Sequence, residues 1–253
     1  MTVPTKIALV TGGSRGLGQD MAIQLARHGH DVVLTYHRHP EEAAAVVAQI
    51  QALGRQAFAL PLDVADSSRF DPFLRDVTEY LTAQNGSPNF DFLINNAGSG
   101  ADTLVADTPE AVLDEMYRIH VKGPYLLTQK ALPFLNDGGR VVNLASGLTR
   151  FTTLGRAAYA TMKGAVETFT RYLAKEVGPR GITANAVAPG LIQTGFTQAT
   201  FEQPGNVARL QSITALGRTG RPDDIGGVVA FLCSDEARWI TGQRLEVSGG
   251  MNI

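Results

Sequence analysis

Short apolar segments alternate with longer segments of helical periodicity along this chain, and no other feature limits its possible folds as strongly. The alternation is typical of repeated βαβ units, whose strands form a parallel sheet. Most of the short segments are apolar throughout, as expected for strands that helices cover on both faces. The predicted strands are residues 7–10, 32–36, 57–62, 92–95, 140–145, 183–187 and 244–247, and the predicted helices are residues 18–28, 41–53, 67–84, 109–133, 157–177 and 222–233.

Length and composition indicate one domain with a small-molecule partner. The 253 residues suffice for a full core, and 22 basic residues against 24 acidic ones give no charge excess that would favour nucleic acid or an anionic membrane. Cys233 is the single cysteine, which excludes an intrachain disulfide. Residues 1–6 reach a strand without a targeting segment, and no run of about 18 apolar residues occurs, so we expect a cytoplasmic protein without a membrane span.

The segment 191–221 fits the alternation poorly. It is long, lacks a clear strand and contains several glycines together with Pro204. A long loop inside a compact domain is usually a binding element or disordered. Because this one follows a predicted strand, we expect it to be a substrate lid.

The sequence TGGSRGLG, residues 11–18, follows the first predicted strand and opens the first helix. A dinucleotide pyrophosphate needs glycines at such a turn, because the backbone must approach it closely and the helix N-terminus supplies N–H groups. The spacing of Gly12, Gly16 and Gly18 differs from the G-x-G-x-x-G fingerprint. Taken alone, the turn is therefore also compatible with an ordinary connection between strand and helix.

Tyr159 and Lys163 lie four residues apart in a predicted helix, so both side chains emerge on one face. A phenol has a pKa of about 10, and a nearby ammonium favours the phenolate, which makes such a pair a tunable proton donor. The alternative is a surface tyrosine over a lysine stem. Ser146 follows the apolar segment 140–145, where the end of a strand would place its hydroxyl at the carboxyl edge of the sheet.

These residues carry a resemblance that extends over nearly the whole chain. The glycine turn, Asn95-Asn-Ala-Gly98, Ser146, Tyr159-x-x-x-Lys163 and Pro189-Gly190 occur in the order and at the distances seen in the short-chain dehydrogenase/reductase family. Within that family the chain is similar to the 3-oxoacyl-acyl-carrier-protein reductase group. The resemblance implies one α/β domain over residues 1–253, with a Rossmann-type doubly wound parallel sheet of about seven strands flanked by helices on both faces.

The resemblance also implies a cofactor site. Its residues would be Gly12, Ser14, Arg15, Gly16, Leu17, Gly18, His37, Arg38, Asp63, Val64, Asn96, Ala97, Gly98, Tyr159, Lys163, Pro189, Gly190, Ile192 and Thr194. Asp63 would bind the adenine amine, although it could also be a turn or cap residue. Asn96, Ala97 and Gly98 would line the adenine ribose, and Ile192 and Thr194 would meet the carboxamide of the nicotinamide.

The end of the second predicted strand favours NADP(H). Family members that bind NAD resemble one another in carrying Asp where this chain has Tyr36, and an acidic residue there would repel a 2′-phosphate. Arg38, with Arg15 from the glycine turn, could instead clamp the phosphate, because a guanidinium binds it in a bidentate manner. The alternative is that both arginines are simply solvated.

The chemistry that the resemblance implies is NADPH-dependent reduction of a carbonyl, or oxidation of a secondary alcohol in reverse. Tyr159 would exchange the proton and Ser146 would hold the same oxygen. Lys163 would lower the pKa of Tyr159 and bind the nicotinamide ribose. The alternatives are an NADP(H)-binding redox sensor without significant turnover and a chain whose glycine turn only packs the first helix.

His120 is a departure from the family pattern. Relatives commonly carry Asn at this position, and that Asn is thought to hold a water that links the catalytic lysine to solvent. An imidazole could complete the same relay and add a titration near pH 6.5, which would make His120 a fourth catalytic residue. The alternative is a packed, hydrogen-bonded helix histidine.

The predicted substrate pocket comprises residues 99–104, 147–154 and the loop after Leu191, and its apolar side chains suggest a ketone or secondary alcohol with a hydrophobic body. Arg150 or Arg156 could meet an acidic tail of the substrate, or both could be surface arginines. The resemblance further implies a homotetramer or a homodimer, paired through the segments 109–133 and 157–177 and through the C-terminal strand.

Overall fold

The computed structural model describes residues 5–253, which form one seven-stranded sheet whose neighbouring strands are all parallel. The strand order is β3-β2-β1-β4-β5-β6-β7. The first three strands are added towards one edge of the sheet and the last four towards the other, so the order reverses between β1 and β4. The strands are β1 Ile7–Val10, β2 Asp31–Tyr36, β3 Ala57–Pro61, β4 Phe90–Asn95, β5 Leu135–Leu144, β6 Thr183–Pro189 and β7 Arg244–Val247. The predicted fold class is confirmed, whereas the prediction for residues 1–4 lies outside the described residues.

Helices cover both faces of the sheet, as the apolar strands predicted. They are α1 Gly16–Arg27, α2 Pro40–Ala52, α3 Phe70–Asn85, α4 Glu110–Tyr117, α5 Gly123–Ala131, α6 Ala157–Val177, α7 Gln198–Glu202, α8 Asn206–Ser212 and α9 Asp223–Leu232. One buried cluster joins the sheet to α1, α2 and α9, and a second joins it to α3, α5 and α6. This arrangement leaves the carboxyl edge of the strands free for a site at the point where the strand order reverses.

The segment 191–221 is not the unstructured loop that the sequence suggested. It contains the short helices α7 and α8, preceded by a 3-10 turn at Gly195–Thr197. Helices of five and seven residues span less than two full turns, so they show too little periodicity to be recognised in the sequence.

The predicted helix 109–133 is also divided. A π-helical turn at Arg118–Lys122 separates α4 from α5, with the Gly123 N–H bonded to the Arg118 carbonyl. The cause is Pro124, which has no N–H to offer the carbonyl of His120 and whose ring would collide with it in a regular helix. The wider turn holds His120 against the carboxyl edge of the sheet.

Candidate active site

The carboxyl edge of the sheet brings together the four side chains predicted to be catalytic. Ser146 follows β5, Tyr159 and Lys163 project from α6, and His120 enters from the π-helical turn. Ser146, Lys163 and His120 are buried, and Tyr159 is half-buried. The sequence placed Ser146 after a strand, Tyr159 and Lys163 on one helix and His120 on another, and the order of the strands in the sheet brings these elements together.

Lys163 is a buried ammonium with one strong anchor. Its Nζ donates a 2.6 Å hydrogen bond to the backbone carbonyl of Leu144, the last residue of β5. The same nitrogen lies 5.6 Å from the ring centroid of Tyr159. Burial lowers the pKa of Lys163 from its ordinary 10.5 to about 8, because the ammonium loses its water.

The surroundings of Tyr159 within the protein keep its phenol protonated at neutral pH. Burial raises its pKa to about 12, and the opposing effects of a hydrogen bond with Ser146 and of the Arg156 charge are smaller. The lowered pKa expected from the sequence is therefore not what these surroundings give, because desolvation of the phenolate outweighs the groups that favour it. This balance keeps the Tyr159 phenol protonated, so it is able to donate a proton.

His120 packs on Tyr159 and has one free acceptor. Its Nε2 lies 2.8 Å from the carbonyl oxygen of Ser99, which can only accept, so this nitrogen carries the proton. Its buried Nδ1 has no hydrogen-bond partner in the described part of the chain. Burial, and secondarily the charge of Lys163, lower the pKa of His120 to about 3, which corrects the titration near pH 6.5 expected from the sequence.

The glycine turn after β1 fits the pyrophosphate of a dinucleotide. Gly12 and Gly16 have positive φ, and a Cβ added at Gly18 would lie 2.0 Å from the Gly12 carbonyl oxygen, so the turn can be this tight only with glycine. Arg15 caps α1 without a side-chain hydrogen bond, and no acidic residue lies in the first helical turn. The first N–H groups of α1 are thus available to an anion.

Two threonines that the sequence reading missed hold this turn in place. Thr35 on β2 accepts a hydrogen bond from the Gly12 N–H at 3.0 Å. Thr11 accepts from the N–H groups of Asn96 and Ala97 at 3.0 and 3.1 Å. A hydroxyl directly before a glycine turn is the signal that could have identified Thr11, whereas Thr35, in the neighbouring strand β2, has no comparable local signal.

Asn96 also supports the turn directly. Its side-chain amide donates to the carbonyls of Thr11 and Gly12 at 2.9 and 3.0 Å. A Cβ added at Gly98 would lie 2.8 Å from the His120 ring, so the glycine makes room for the imidazole. The predicted ribose-binding segment 96–98 therefore joins the glycine turn to the catalytic side chains, and its contact with a ribose stays a prediction.

The predicted adenine and phosphate residues lie at the N-cap of α1 and after the ends of β2 and β3. Arg15, His37 and Arg38 are exposed, while Asp63 and Val64 are half-buried. The Asp63 carboxylate accepts a hydrogen bond from the Ala65 N–H at 2.9 Å, so the turn role considered for Asp63 is present. Its other oxygen lies 3.7 Å from the His37 imidazole and remains open to a ligand.

The segment after β6 closes the other side of the site. Pro189 ends β6, and Gly190 allows a close approach to Ser248, where an added Cβ would lie 2.8 Å from the backbone. Ile192 is buried, and Thr194 sits beside Gly16 with its side chain about a van der Waals contact from the glycine. Phe196 follows, with its ring centroid 6.2 Å from that of Tyr159.

The two arginines considered for an acidic substrate differ in their partners. Arg150 binds the Glu246 carboxylate through two nitrogens and the carbonyls of Met251 and Asn252, so its donors are already used. Arg156 makes two longer contacts, with the exposed carboxylate of Asp102 at 3.2 Å and with the Ala101 carbonyl at 3.4 Å. Its charge reaches Tyr159, since it lowers the pKa of that phenol.

Within residues 5–253, no group of three or more potential metal ligands occurs and no helix is long and apolar enough to cross a membrane. The donor set at the site is hydroxyl, phenol, ammonium and imidazole, which suits proton exchange at an oxygen.

Comparison with known proteins identifies the family of the chain. Residues 12–252 match the family model described as enoyl-(acyl carrier protein) reductase. The chain is 39% identical over 251 residues to the 3-oxoacyl-[acyl-carrier-protein] reductase FabG of Staphylococcus aureus, covering 98% of both chains. One similar solved structure is that of the promiscuous reductase LugOII, which catalyses keto-reduction at C1 during lugdunomycin biosynthesis. It is 38% identical with a TM-score of 0.92, and the match covers 97% of this chain and 96% of LugOII. A second is the angucycline C-6 ketoreductase LanV with bound NADP, which is 34% identical with a TM-score of 0.93, and the match covers 98% of this chain and 95% of LanV. The chain therefore belongs to the short-chain dehydrogenase/reductase family of oxidoreductases.

Proposed function

We propose that this protein is an NADPH-dependent ketoreductase in which Tyr159 is the proton donor. The observation that carries the proposal is the convergence of Ser146, Tyr159 and Lys163 beside the glycine turn, at the carboxyl edge of one sheet. NADPH supplies a hydride to the carbonyl carbon when bound. The overall reaction converts a ketone, NADPH and a proton into a secondary alcohol and NADP⁺.

The protein residues have separate tasks in this reaction. The Tyr159 phenol gives its proton to the carbonyl oxygen as negative charge develops there, and the Ser146 hydroxyl donates a hydrogen bond to the same oxygen. The Lys163 ammonium, fixed by the Leu144 carbonyl, holds the nicotinamide ribose and stabilises the phenolate that remains. In the reverse direction the same groups accept the proton of a secondary alcohol.

The cofactor is NADP(H). The absence of a carboxylate at Tyr36, the exposed guanidinium groups of Arg15 and Arg38, and the bound NADP in the similar ketoreductase LanV all support this choice. The N-terminus of α1, which has no side-chain cap, would hold the pyrophosphate, and the segments Asn96–Gly98 and Pro189–Thr194 would bind towards the two ends of the dinucleotide. These contacts are part of the proposal.

His120 belongs to the proposal as a hydrogen-bond acceptor. Its neutral Nδ1 is buried and has no hydrogen-bond partner among the described residues, and burial, followed by the charge of Lys163, lowers the imidazole pKa. The neutral imidazole serves as a fixed hydrogen-bond acceptor that orients a water near Lys163, and protons reach that lysine through the water rather than through the imidazole.

The substrate is a ketone with a hydrophobic body. Phe196 lies over Tyr159, and Leu154 and Phe151 contribute further apolar surface at the pocket, of which Leu154 is 87% exposed. The segment 191–221, with α7 and α8, forms a substrate lid whose hinge follows β6.

A homotetramer is the proposed assembly, with a homodimer as the alternative. Exposed apolar side chains occur on two separate surfaces: Leu113, Tyr117, Tyr125 and Tyr172 on α4, α5 and α6, and Phe231 and Trp239 at α9 and the segment before β7. Two such surfaces allow each subunit to pair twice. Static light scattering of the purified protein distinguishes the tetramer from the dimer.

One experiment tests the function. NADPH consumption is measured across β-ketoesters, diketones, quinones, sugars and steroids, with NADPH binding followed separately by its fluorescence. Turnover of a ketone with NADPH preferred over NADH supports the proposal. Tight NADPH binding without turnover of any substrate favours a redox sensor, and no binding at all contradicts a nucleotide site.

A further inference from the structure

The loop that carries Ser146 is held by a charged network outside the predicted catalytic set. Ser146 begins a 3-10 turn at Gly147–Thr149, in which its own Oγ accepts a hydrogen bond from the Leu148 N–H at 3.2 Å. Gly147 is packed so closely that an added Cβ would lie 2.7 Å from the Phe151 ring. The direction of the Ser146 hydroxyl therefore depends on how this turn is anchored.

Arg244 on β7 contacts the turn and its surroundings through all three guanidinium nitrogens. Nε lies 2.7 Å from the carboxylate of Glu167, and Nη1 lies 3.0 Å from that of Glu246. Nη2 points to the turn, 3.1 Å from the Thr149 hydroxyl and 3.3 Å from the Ser146 carbonyl oxygen. A planar fork of this kind fixes several acceptors at once, which a lysine ammonium cannot reproduce.

The Thr149 hydroxyl faces two acceptors at once, so the serine turn needs a further hydrogen-bond donor, which Arg244 supplies. The hydroxyl lies 2.8 Å from the Ser146 carbonyl and 2.6 Å from the Glu167 carboxylate, but it has only one proton to donate. The anionic carboxylate is the stronger acceptor. Arg244 binds that carboxylate and also offers a donor to the Ser146 carbonyl, so the carbonyl stays satisfied whichever way the hydroxyl turns.

The network connects the serine to the other catalytic side chains. Glu167 lies one helical turn beyond Lys163 on α6, and Lys163 lies one turn beyond Tyr159. On the other side, Glu246 binds Arg150, which holds the carbonyls near the C-terminus. Two arginines and two glutamates balance in charge, and the Arg244, Glu167 and Glu246 side chains are only 22%, 13% and 18% exposed.

We propose that Arg244 is a positioning residue that sets the orientation of Ser146 relative to α6. The inference rests on the proposed function, because it requires that the Ser146 hydroxyl bind the substrate oxygen. Arg244 itself touches neither substrate nor cofactor. It acts through the backbone of the serine turn and through Glu167.

A double-mutant cycle tests this role, with Ser146→Ala, Arg244→Met and the combined variant assayed for kcat and for NADPH affinity by fluorescence. We expect Ser146→Ala to lower kcat by about 100-fold and Arg244→Met by about tenfold, with NADPH affinity retained. If Arg244 acts through Ser146, the combined variant has the kcat of Ser146→Ala within about twofold, since the serine is already lost. Arg244→Lys keeps the positive charge but lacks the planar guanidinium group. We expect it to fold and to have a kcat between those of Arg244→Met and the wild type.

Arg180→Met is the matched control for lost stability. Arg180 also bonds a carboxylate, that of Asp137, and a backbone carbonyl, that of Leu132, but lies at the amino edge of the sheet. We expect it to lower Tm and leave kcat unchanged. Additive losses in the combined variant, or an Arg244→Met variant with full kcat, would overturn the inference alone. A Ser146→Ala variant with full kcat would instead overturn the proposed function and the inference with it.

Discussion

The imidazole of His120 stands edge-on to the phenol ring of Tyr159, with ring centroids 5.1 Å apart and planes at 86°. The contact joins the π-helical turn after α4 to the helix that carries the proton donor. It buries the imidazole, which is why His120 stays neutral with a pKa of about 3. Of the two roles that the sequence left open for His120, the structure shows the packed, hydrogen-bonded histidine, with its ring on the proposed proton donor.

His120→Asn should leave the acid limb of the pH–rate profile unchanged between about pH 5 and 8, because a group with a pKa of about 3 does not titrate there. Asn retains an acceptor oxygen, so we also expect most of kcat to remain. His120→Leu, which has no acceptor, should lower kcat by about tenfold or more. If His120→Leu kept full kcat, His120 would have no role in proton transfer. If the wild-type pH–rate profile had an acid limb near pH 6.5 that was lost in His120→Asn, the imidazole would titrate there.

Tyr159→Phe should reduce kcat by about 100-fold to 10,000-fold, the range that positioned proton donors contribute. Its pKa of about 12 makes the phenol a donor over the whole neutral range, so the loss should be the same from about pH 6 to 9. Affinity for NADPH, measured by fluorescence, should remain, because the ring is kept. Tyr125→Phe, an exposed tyrosine on α5, is the control with unchanged kcat. Near wild-type kcat in Tyr159→Phe would refute the proposed proton donor.

Lys163→Met should change how stability depends on pH. The folded pKa of about 8 lies below the ordinary 10.5, so burial of the ammonium costs folding free energy in full below about pH 8. As pH rises from 8 to 10.5 the folded lysine loses its proton first, and the cost disappears. The stability of Lys163→Met relative to wild type should therefore be greatest below pH 8 and fall by up to about 3 kcal/mol towards pH 10.5. Urea unfolding across this range measures it, and a constant difference would contradict the lowered pKa.

The strands were predictable because a parallel sheet covered on both faces requires continuous apolar segments, and those at β1 and β6 are buried at every position. The break between α4 and α5 was not predicted, although Pro124 marks it in the sequence. Buried apolar residues occur on both sides of the proline, at Met116 in α4 and at Leu127 and Ala131 in α5, so the segment was read as one continuous helix.

Sequence motifs predicted the candidate site residues whose residue type has a distinct chemical task. They did not predict residues that only hold other side chains in position. The network of Arg244 and Glu246 was missed, because alternating charges in the strand R-L-E-V indicate only one polar face. Which partners that face meets depends on the distance to Thr149 and Glu167, residues 95 and 77 positions away. Long-range pairing of this kind leaves no local pattern.

Arg38→Ala should lower kcat/KM for NADPH by about ten- to 100-fold, the loss expected for charge-assisted hydrogen bonds to a phosphate. The value for NADH, which lacks the 2′-phosphate, should change by less than about twofold. Arg27→Ala is the control, since Arg27 is another exposed arginine at the far end of α1. Equal losses with both cofactors, or a wild-type preference for NADH, would contradict the phosphate clamp.

Arg156 is the arginine of the two that remains able to meet an acidic substrate, since Arg150 is bound to Glu246 and to carbonyls near the C-terminus. Its contact with the 70%-exposed Asp102 is a weak surface pair, which a substrate anion can replace because such pairs contribute little. Arg156→Gln should raise KM about tenfold for ketones that carry a carboxylate and leave neutral ketones within about twofold. Arg150→Gln should lower Tm while the ratio of the two KM values stays unchanged. If Arg156→Gln affects acidic and neutral ketones equally, Arg156 is a surface arginine and the acidic tail is not recognised at this position.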